Sequence, residues 1–303
     1  MMNISLTGSN GFAGQNLSKY LKQNNIEVKC IAREAVIKDN SCLLNNINAI
    51  IHLAGKAHDL KNVSSFDEYY IVNTKLTIEI FNAFLASNAK VFIFLSSVKA
   101  VADEVDTELL EDATPNPITH YGKSKLLAEQ YILSQPIPDG KRVYILRPCM
   151  IHGPGNKGNL NLLYSLVSKG FPWPLGLFEN SRSYLSIENL CFVIKELIER
   201  EDIPSGVYNV ADDVPLSTNE VIKMIAESRG THARILNLSQ NLIKVIARVG
   251  DLLKLSLNSE RLQKLTESYI VSNAKIKEAL GKQLPVSSKE GLMRTFQSFA
   301  DNA

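Results

Sequence analysis

The sequence feature that most constrains the fold is a glycine-rich turn close to the N-terminus. Residues Asn3–Thr7 form a short apolar run typical of a buried strand, and Gly8, Gly11 and Gly14 follow it. A helical pattern begins inside this turn, and a second strand-like run covers residues 27–32. Glycines permit a tight turn and close approach of the backbone to a ligand, and a helix N-terminus attracts phosphate. The order of strand, glycine turn, helix and strand predicts a dinucleotide-binding unit, although the spacing is Gly-x-x-Gly-x-x-Gly rather than Gly-x-Gly-x-x-Gly.

Three further apolar runs extend this unit into a sheet. They cover residues 49–55, 91–97 and 143–146, and a helical pattern from about residue 66 to 88 separates the first two. Continuous hydrophobic strands are typical of a parallel sheet that is buried on both faces. Strands that alternate with helices over the first 150 residues therefore predict an α/β fold with a Rossmann doubly wound parallel sheet. His52 lies inside the first of these runs and is expected to be a packed core residue.

The pattern changes beyond residue 156. Helical periodicity recurs at residues 159–169, 217–229, 242–255 and 287–299, with a capping box at the start of the second. The apolar residues of 242–255 could lie on a membrane surface, but the core face of a small domain is favoured. We therefore expect two units: residues 1–155 form the Rossmann domain, completed by a segment near 180–200, and residues 156–303 form mainly a smaller C-terminal substrate-binding lobe.

A Tyr-x-x-x-Lys pair is the clearest candidate for chemistry. Tyr121 and Lys125 lie four residues apart at the start of a predicted helix, so they share one helical face. A phenol has a reference pKa of about 10, and a neighbouring ammonium is expected to lower that pKa and to make proton transfer possible. Ser96 and Ser97 follow a predicted strand, at the edge where open α/β sheets bind ligands.

Composition excludes several classes of protein. The formal net charge is +2 and there is no basic tract, so nucleic acid is not an expected partner. Cys30, Cys42, Cys149 and Cys191 have no paired spacing, which predicts neither a metal site nor a disulfide framework and fits a reducing cytoplasm. No uncharged apolar run approaches the ~20 residues of a membrane span, and the first strand leaves no room for a signal peptide. A cytoplasmic protein without a membrane partner is expected.

Taken together, these motifs resemble a known family. The chain is similar to the extended short-chain dehydrogenase/reductases, in particular to the NAD(P)-dependent nucleotide-sugar epimerase/dehydratase group. The order and spacing of the motifs carry the resemblance over nearly the whole chain. They are Thr7 to Gly14, His52 to Ala54, Val72 to Thr74, Ser96-Ser97, Tyr121 to Lys125, Arg147-Pro148, Gly153 to Gly155 and Arg182 to Asn189.

The resemblance implies a role for each matching residue. Tyr121 would be the acid/base, Lys125 would lower its pKa and hold the nicotinamide ribose, and Ser97 would bond the substrate oxygen. The residues that would contact the cofactor are Gly8, Asn10, Gly11, Phe12, Gly14, Arg33, Leu53, Ala54, Gly55, Asn73, Ser96, Tyr121, Lys125 and Pro148. Asn159 and Arg182 match positions that hold the diphosphate of a sugar nucleotide, and Lys99 would also face the substrate. The implied partner is a nucleoside-diphosphate sugar, with a UDP-sugar favoured and a homodimer possible.

Two departures from the family pattern narrow this expectation. The 4,6-dehydratases of the group follow their hydroxyl residue with Asp-Glu, whereas this chain has Val98 and Lys99, so dehydration of the sugar is not expected. NAD-preferring enzymes usually place an acidic residue at the end of the second strand. Here Ala32 is followed by Arg33, which offers a cation to a phosphate, so NADP(H) is favoured and NAD(H) remains possible.

Three functions remain open on these residues. The favoured one is a reductase that acts on the C4 ketone of a nucleoside-diphosphate sugar, because NADPH suits a reaction that consumes reduced cofactor. The alternative is a UDP-sugar 4-epimerase, which would retain NAD between two half-reactions. The alternative from a different class is an NADP(H)-binding sensor without turnover, which the presence of the Tyr121 and Lys125 pair disfavours.

Overall fold

The computed structural model describes residues 2–33, 46–56, 65–156, 158–253 and 258–300. The strands are β1 Asn3–Thr7, β2 Glu27–Ile31, β3 Ala49–His52, β4 Val91–Leu95, β5 Glu108–Leu109, β6 Arg142–Pro148, β7 Met150–His152, β8 Tyr184–Ser186, β9 Gly206–Val210 and β10 Ile270–Val271. Six of them form one parallel sheet in the order β2-β1-β3-β4-β6-β9. The predicted doubly wound parallel sheet is confirmed.

Helices cover both faces of this sheet and build the C-terminal part. They are α1 Phe12–Gln23, α2 Phe66–Tyr69, α3 Leu76–Ala86, α4 His120–Ser134, α5 Asn159–Ser168, α6 Ile187–Glu199, α7 Thr218–Glu227, α8 Gln240–Leu253, α9 Ser259–Thr266, α10 Ala274–Leu280 and α11 Ser288–Ala300. A π-helical turn, Tyr70–Lys75, joins α2 to α3, and a 3₁₀ turn, Val98–Ala100, follows β4.

Alternate side chains of the strands enter two separate hydrophobic clusters. Ile51 and Ile93 pack with residues of α1 and α6 on one face. Ile50 and Phe92 pack with residues of α3 and α4 on the other face. Burying each such side chain contributes about 1.5–3 kcal/mol. Because helices cover both faces of the sheet, side chains on both faces must be apolar, and the strands are continuously apolar.

The carboxyl ends of the central strands meet at one edge of the sheet. Thr7 at the end of β1 is in register with His52 of β3, which is in register with Phe94 of β4. The turns that leave these strands therefore lie side by side, as expected for the ligand-binding edge of an open α/β sheet.

His52 is a core residue, as predicted. Its side chain is fully buried, lies between the hydroxyls of Thr7 and Thr77 at 2.7 and 2.9 Å, and stacks on Phe94. The Thr77 hydroxyl donates to the Asn73 carbonyl, so it accepts from Nε2 of His52, and Nδ1 accepts from Thr7. Burial, with a smaller contribution from Lys125, lowers the pKa of His52 to about 3, so the ring is neutral.

The C-terminal half has two smaller apolar clusters. One joins α5, α7, β8 and α11 through residues that include Tyr164, Tyr184 and Phe296. The other is built around Trp173, Phe178 and residues of α8. The predicted capping box is present, since Ser217 and Glu220 bond each other's backbone amides at the start of α7. Residues of α6 pack into the cluster on the main sheet. The boundary between two domains at residue 155 stays a prediction.

The prediction that the helix at 242–255 uses its apolar residues as a core face is wrong in large part. Helix α8 ends at Leu253, and residues 254–255 lie outside the described residues. Only Ile243, Ala247 and Gly250 are buried on this helix, because the small cluster beneath it needs just one narrow face. Among the described helices, none has the length and apolar character needed to cross a bilayer.

Candidate active site

The glycine turn after β1 is shaped by close backbone contacts. Gly8 has a φ of 75°, and a Cβ at this position would lie 2.5 Å from the backbone nitrogen of Ala54. A Cβ at Gly14 would lie 2.2 Å from the carbonyl oxygen of Gly8. Both distances are shorter than any van der Waals contact, so these two positions require glycine.

The N-terminus of α1 is open to an anion. Its N-cap residue is Gly11, no side chain caps the helix, and its first turn contains no acidic residue. The first amides of the helix and the positive end of its dipole therefore remain available for phosphate. Asn10 and Gly11 are exposed, and Phe12 is half-buried, so all three border this opening. These observations fit the pyrophosphate of a dinucleotide.

The loop after β3 forms the next wall. It contains Leu53, Ala54 and Gly55, and a Cβ at Gly55 would lie 3.1 Å from Oδ1 of Asn73 and 3.2 Å from Nζ of Lys125. Asn73 lies fully buried on the π-helical turn, and its amide contacts both backbone polar groups of Lys56 and the hydroxyl of Ser124. Asn73 thus holds the loop in place, which gives it a supporting position beside the predicted nicotinamide pocket.

Helix α4 brings the predicted catalytic residues together. Thr119 caps it by accepting a hydrogen bond from the Gly122 amide at 3.2 Å. A Cβ at Gly122 would lie 2.3 Å from the carbonyl oxygen of Lys99, so glycine lets α4 approach the 3₁₀ turn that follows Ser97. At this closest approach, a hydrogen-bonding interaction of the Ser97 side chain acts on the Tyr121 phenol.

The pKa of Tyr121 differs from the expectation. Burial raises it, the hydrogen bond from Ser97 opposes that rise, and Lys125 is not among the groups that lower it. The prediction that the phenol pKa is lowered is therefore wrong, since burial raises it. Nζ of Lys125 donates to the Leu95 carbonyl at 2.9 Å and lies 4.7 Å from the centre of the Phe94 ring. Burial lowers the pKa of Lys125 to about 8, and Glu129 partly offsets this.

A buried ion pair that the sequence reasoning missed lies behind this helix. Glu129 follows Lys125 by one helical turn, and its carboxylate pairs with the Arg147 guanidinium, with an Nη2 to Oε2 distance of 2.6 Å. Arg147 also donates to the Glu111 carbonyl at 3.1 Å. The Ser96 hydroxyl donates to Glu129, so Ser96 belongs to this network, and its predicted contact with the cofactor stays a prediction. The sequence signal that could have indicated this network is the four-residue spacing from Lys125 to Glu129, which places both side chains on one helical face.

The predicted substrate residues are only partly brought together. Lys99 donates to the Asp103 carbonyl at 2.7 Å, its Nζ lies 4.2 Å from the centre of the Tyr269 ring, and burial lowers its pKa. The charge of Arg182 acts on Lys99 in the same direction, which places the two cations near each other. Arg182 also lies 3.7 Å from the carboxylate of Glu267 and bonds the Lys264 carbonyl.

The remaining predicted positions lie around these residues. Asn159 is the first residue of α5 and is exposed, and no hydrogen bond or ion pair within the described ranges joins it to Arg182. Arg33 is exposed just beyond β2, and Pro148 is buried at the end of β6. The described residues contain no cluster of three His, Cys, Asp or Glu side chains suited to a metal ion.

Known proteins with similar sequences belong to a family that binds NAD. Residues 4–211 match the family described as the NAD dependent epimerase/dehydratase family. A UDP-glucose 4-epimerase from Vibrio cholerae is 32% identical over 98% of this chain and 95% of its own length. An Escherichia coli O157:H7 4-epimerase of N-acetyl-alpha-D-glucosaminyl-diphospho-ditrans,octacis-undecaprenol is 26% identical over 97% of this chain and 94% of its own.

A solved structure shows the same fold. MoeE5 in complex with UDP-glucuronic acid and NAD superposes with a TM-score of 0.77, is 21% identical, and covers 99% of this chain and 100% of its own. Nucleotide-sugar reductases are also among the relatives, so the chain is an enzyme of the nucleotide-sugar epimerase and reductase type, with an NAD(P)-binding fold. The protein belongs to the NAD-dependent epimerase/dehydratase family.

Proposed function

We propose that this enzyme reduces the C4 ketone of a nucleoside-diphosphate 4-keto-hexose, most favourably a UDP-sugar, with NADPH as the reductant. The observation that carries the proposal is the approach of the Ser97 side chain to Tyr121 at the carboxyl edge of the sheet, with Lys125 one helical turn away. Burial keeps Tyr121 protonated, and a protonated phenol is the form that gives a proton to a ketone oxygen.

The residues have distinct tasks in this reaction. A reduced nicotinamide, when bound, supplies the hydride that forms the new C4–H bond. As the C4 carbonyl π bond breaks, its oxygen takes the proton of Tyr121, which solvent then replaces. Ser97 donates a hydrogen bond to that oxygen, and Lys125 holds the nicotinamide ribose. The sugar gains a hydride, which carries two electrons, at C4 and one proton at the oxygen, and the nicotinamide is oxidised.

Two positively charged residues support the choice of ligands. Arg33 follows β2 without an acidic residue at the strand end, which suits the 2′-phosphate of NADPH. Arg182, close to Lys99 and on the side of the C-terminal half, suits a diphosphate because a guanidinium pairs well with phosphate oxygens.

A 4-epimerase is the second candidate, and a specific observation favours it. The two relatives described above that span nearly the whole chain are both named 4-epimerases. The same residues would serve, because an epimerase removes a hydride from C4 and returns it to the opposite face. The oxidative half-reaction needs Tyr121 as a proton acceptor, and the positive charge of an oxidised nicotinamide would oppose the effect of burial on its pKa.

The experiment that separates the two is a turnover assay with defined substrates. The purified enzyme is given UDP-4-keto-hexoses with NADPH, and UDP-glucose, UDP-galactose and their N-acetyl forms with NAD. A reductase consumes one NADPH for each 4-keto sugar and leaves the UDP-hexoses unchanged. Interconversion of C4 epimers without net consumption of cofactor would establish the epimerase, and no turnover of any of these sugars would contradict both.

A further inference from the structure

Helix α8 exposes a continuous apolar stripe in addition to its buried face. The exposed fractions are 50% for Leu242, 54% for Val245, 43% for Ile246, 47% for Val249, 82% for Leu252 and 61% for Leu253. Their spacing of three and four residues places them on one side of the helix. The buried residues Ile243 and Ala247 occupy a different side and pack on the cluster around Trp173. Contiguous exposed apolar surface of this kind marks an interaction site.

Basic side chains border this stripe. Arg248 is exposed and is the helical neighbour of Val245, three residues before it, and of Leu252, four residues after it. Lys244, also exposed, lies one turn from Arg248. The only acidic residue of the helix is Asp251, and its carboxylate accepts hydrogen bonds from the Ser259 amide at 2.9 Å and the Ser259 hydroxyl at 2.5 Å.

A basic cleft adjoins the same part of the molecule. It has a volume of about 600 Å³ and is lined by Lys169, Arg229, His232 and Arg234, and none of the described residues in its wall is acidic. Trp173 and Ile222 line the cleft and also belong to the cluster on which α8 packs. Phe171 lies at the cleft and is 61% exposed, so apolar and basic groups alternate here as they do on α8.

The size of the stripe distinguishes between possible occupants. A helix of 14 residues is about 21 Å long, so with a width of about 10 Å its exposed face offers roughly 200 Å². A stable dimer needs about 800 Å² on each partner, so this helix alone is too small to hold a second copy. A membrane interface sets no such limit, because one amphipathic helix with basic flanks is sufficient for reversible binding to anionic lipid.

We propose that α8 docks this enzyme on the surface of an anionic membrane. The apolar stripe enters the boundary between headgroups and acyl chains, and Lys244, Arg248 and the basic cleft face the lipid phosphates. Docking uses residues other than those of the candidate active site. This inference does not depend on which C4 reaction the enzyme performs.

Co-sedimentation with vesicles tests the proposal. The full chain is mixed with phosphatidylcholine vesicles that contain or lack phosphatidylglycerol. We expect binding that requires the anionic lipid and is lost in a Val249→Glu/Leu252→Glu variant. Lys244→Gln and Arg248→Gln should each weaken binding by about fivefold, because each basic residue near an anionic surface raises the affinity by about that factor.

A matched control places the same charge on another exposed leucine. Leu133 on α4 is 59% exposed, so Leu133→Glu should bind vesicles like the unmodified chain. All variants should keep the unmodified melting temperature and turnover with soluble substrate. The proposal is overturned if no vesicle composition binds the protein, or if Val249→Glu/Leu252→Glu binds as well as the control. It is also overturned if the unmodified chain is a dimer in solution that this double variant dissociates.

Discussion

The charged residues of the candidate catalytic site and those of the candidate substrate handle and basic cleft differ in burial. In the N-terminal half, Lys125, Glu129 and Arg147 are each at least 95% buried; Glu129 and Arg147 pair with each other, and Lys125 donates to the Leu95 carbonyl. In the C-terminal half, Arg182 is partly exposed, and the basic residues of the cleft lie at the surface. The first set of charges is held in fixed positions inside the protein, whereas the second set is accessible to solvent.

The largest expected effect lies at the centre of the buried half. Tyr121→Phe should lower turnover by about 10²–10⁴-fold, because that is the usual contribution of a positioned acid, and it should leave cofactor binding unchanged. Tyr131→Phe is the matched control on the same helix, since its hydroxyl bonds only the exposed Asn82 side chain among the described residues. Steady-state kinetics of both variants decide the point, and equal activity would remove Tyr121 from the reaction.

A second prediction compares ion pairs in the two halves. Glu129→Ala should lower the free energy of unfolding by about 3–5 kcal/mol, because it leaves the buried Arg147 guanidinium without its partner. Glu267→Ala removes a partner of the more exposed Arg182 and should cost less than about 1 kcal/mol. Denaturant melts of the two variants measure the difference. Equal losses would show that the halves do not differ in this respect.

A third prediction concerns the cofactor phosphate. Arg33→Ala should weaken NADPH binding by about ten- to a hundredfold and leave NADH binding unchanged, because a charge-assisted hydrogen bond contributes about 1.5–3 kcal/mol. The double variant Ala32→Asp/Arg33→Ala should prefer NADH. Titration calorimetry with both cofactors provides the affinities. Tight NAD that co-purifies with the protein and gains nothing from the 2′-phosphate would favour the epimerase.

A fourth prediction tests the substrate handle of the exposed half. Arg182→Ala should weaken UDP binding by about tenfold. The loss is smaller than that expected on removing an arginine without a protein partner, because Arg182 already interacts with Glu267. The rise in melting temperature caused by UDP should shrink, and the rise caused by NADPH should stay. Arg234→Ala, in the basic cleft, is the control and should leave both unchanged. A UDP effect that survives in Arg182→Ala would place the diphosphate elsewhere.

The smallest expected effect is a pH dependence of cofactor binding. Burial lowers the pKa of Lys125 to about 8, so the side chain is a cation below that pH and neutral above it. If the cation holds the ribose, cofactor affinity falls as pH rises, by about fivefold between pH 8 and pH 9. Lys125→Met should bind more weakly at low pH and show no such fall. An affinity that rises above pH 8 would contradict the assignment.

The sequence predicted the sheet, and it placed Tyr121 and Lys125 on one helix, because both depend on local patterns. The glycine turn and the Tyr121 to Lys125 spacing are each set within a few residues, and burial on both faces makes the strands continuously apolar. The sequence did not predict that Ser96 serves the Glu129 network, because that contact joins residues 33 positions apart. It also misjudged Tyr121, since the pKa depends on burial that no spacing reveals.

The helix at Gln240–Leu253 shows a different limit of sequence reasoning. Its residues are apolar on two sides, so periodicity alone cannot say which side meets the protein. Ile243 and Ala247 face the cluster at Trp173, whereas Val249 and Leu252 remain exposed. The choice is made by the shape of the surface beneath the helix, which only the folded structure provides.

The measurement that tests the central claim most directly is the fate of a labelled hydride. The enzyme is incubated with NADPH that carries deuterium in the transferable position and with a UDP-4-keto-hexose, and the product is analysed by NMR. The proposed reduction predicts deuterium at C4 of the product and one oxidised cofactor for each sugar formed, with both lost in Tyr121→Phe. Unlabelled C4 epimers that interconvert without consumption of NADPH would contradict it.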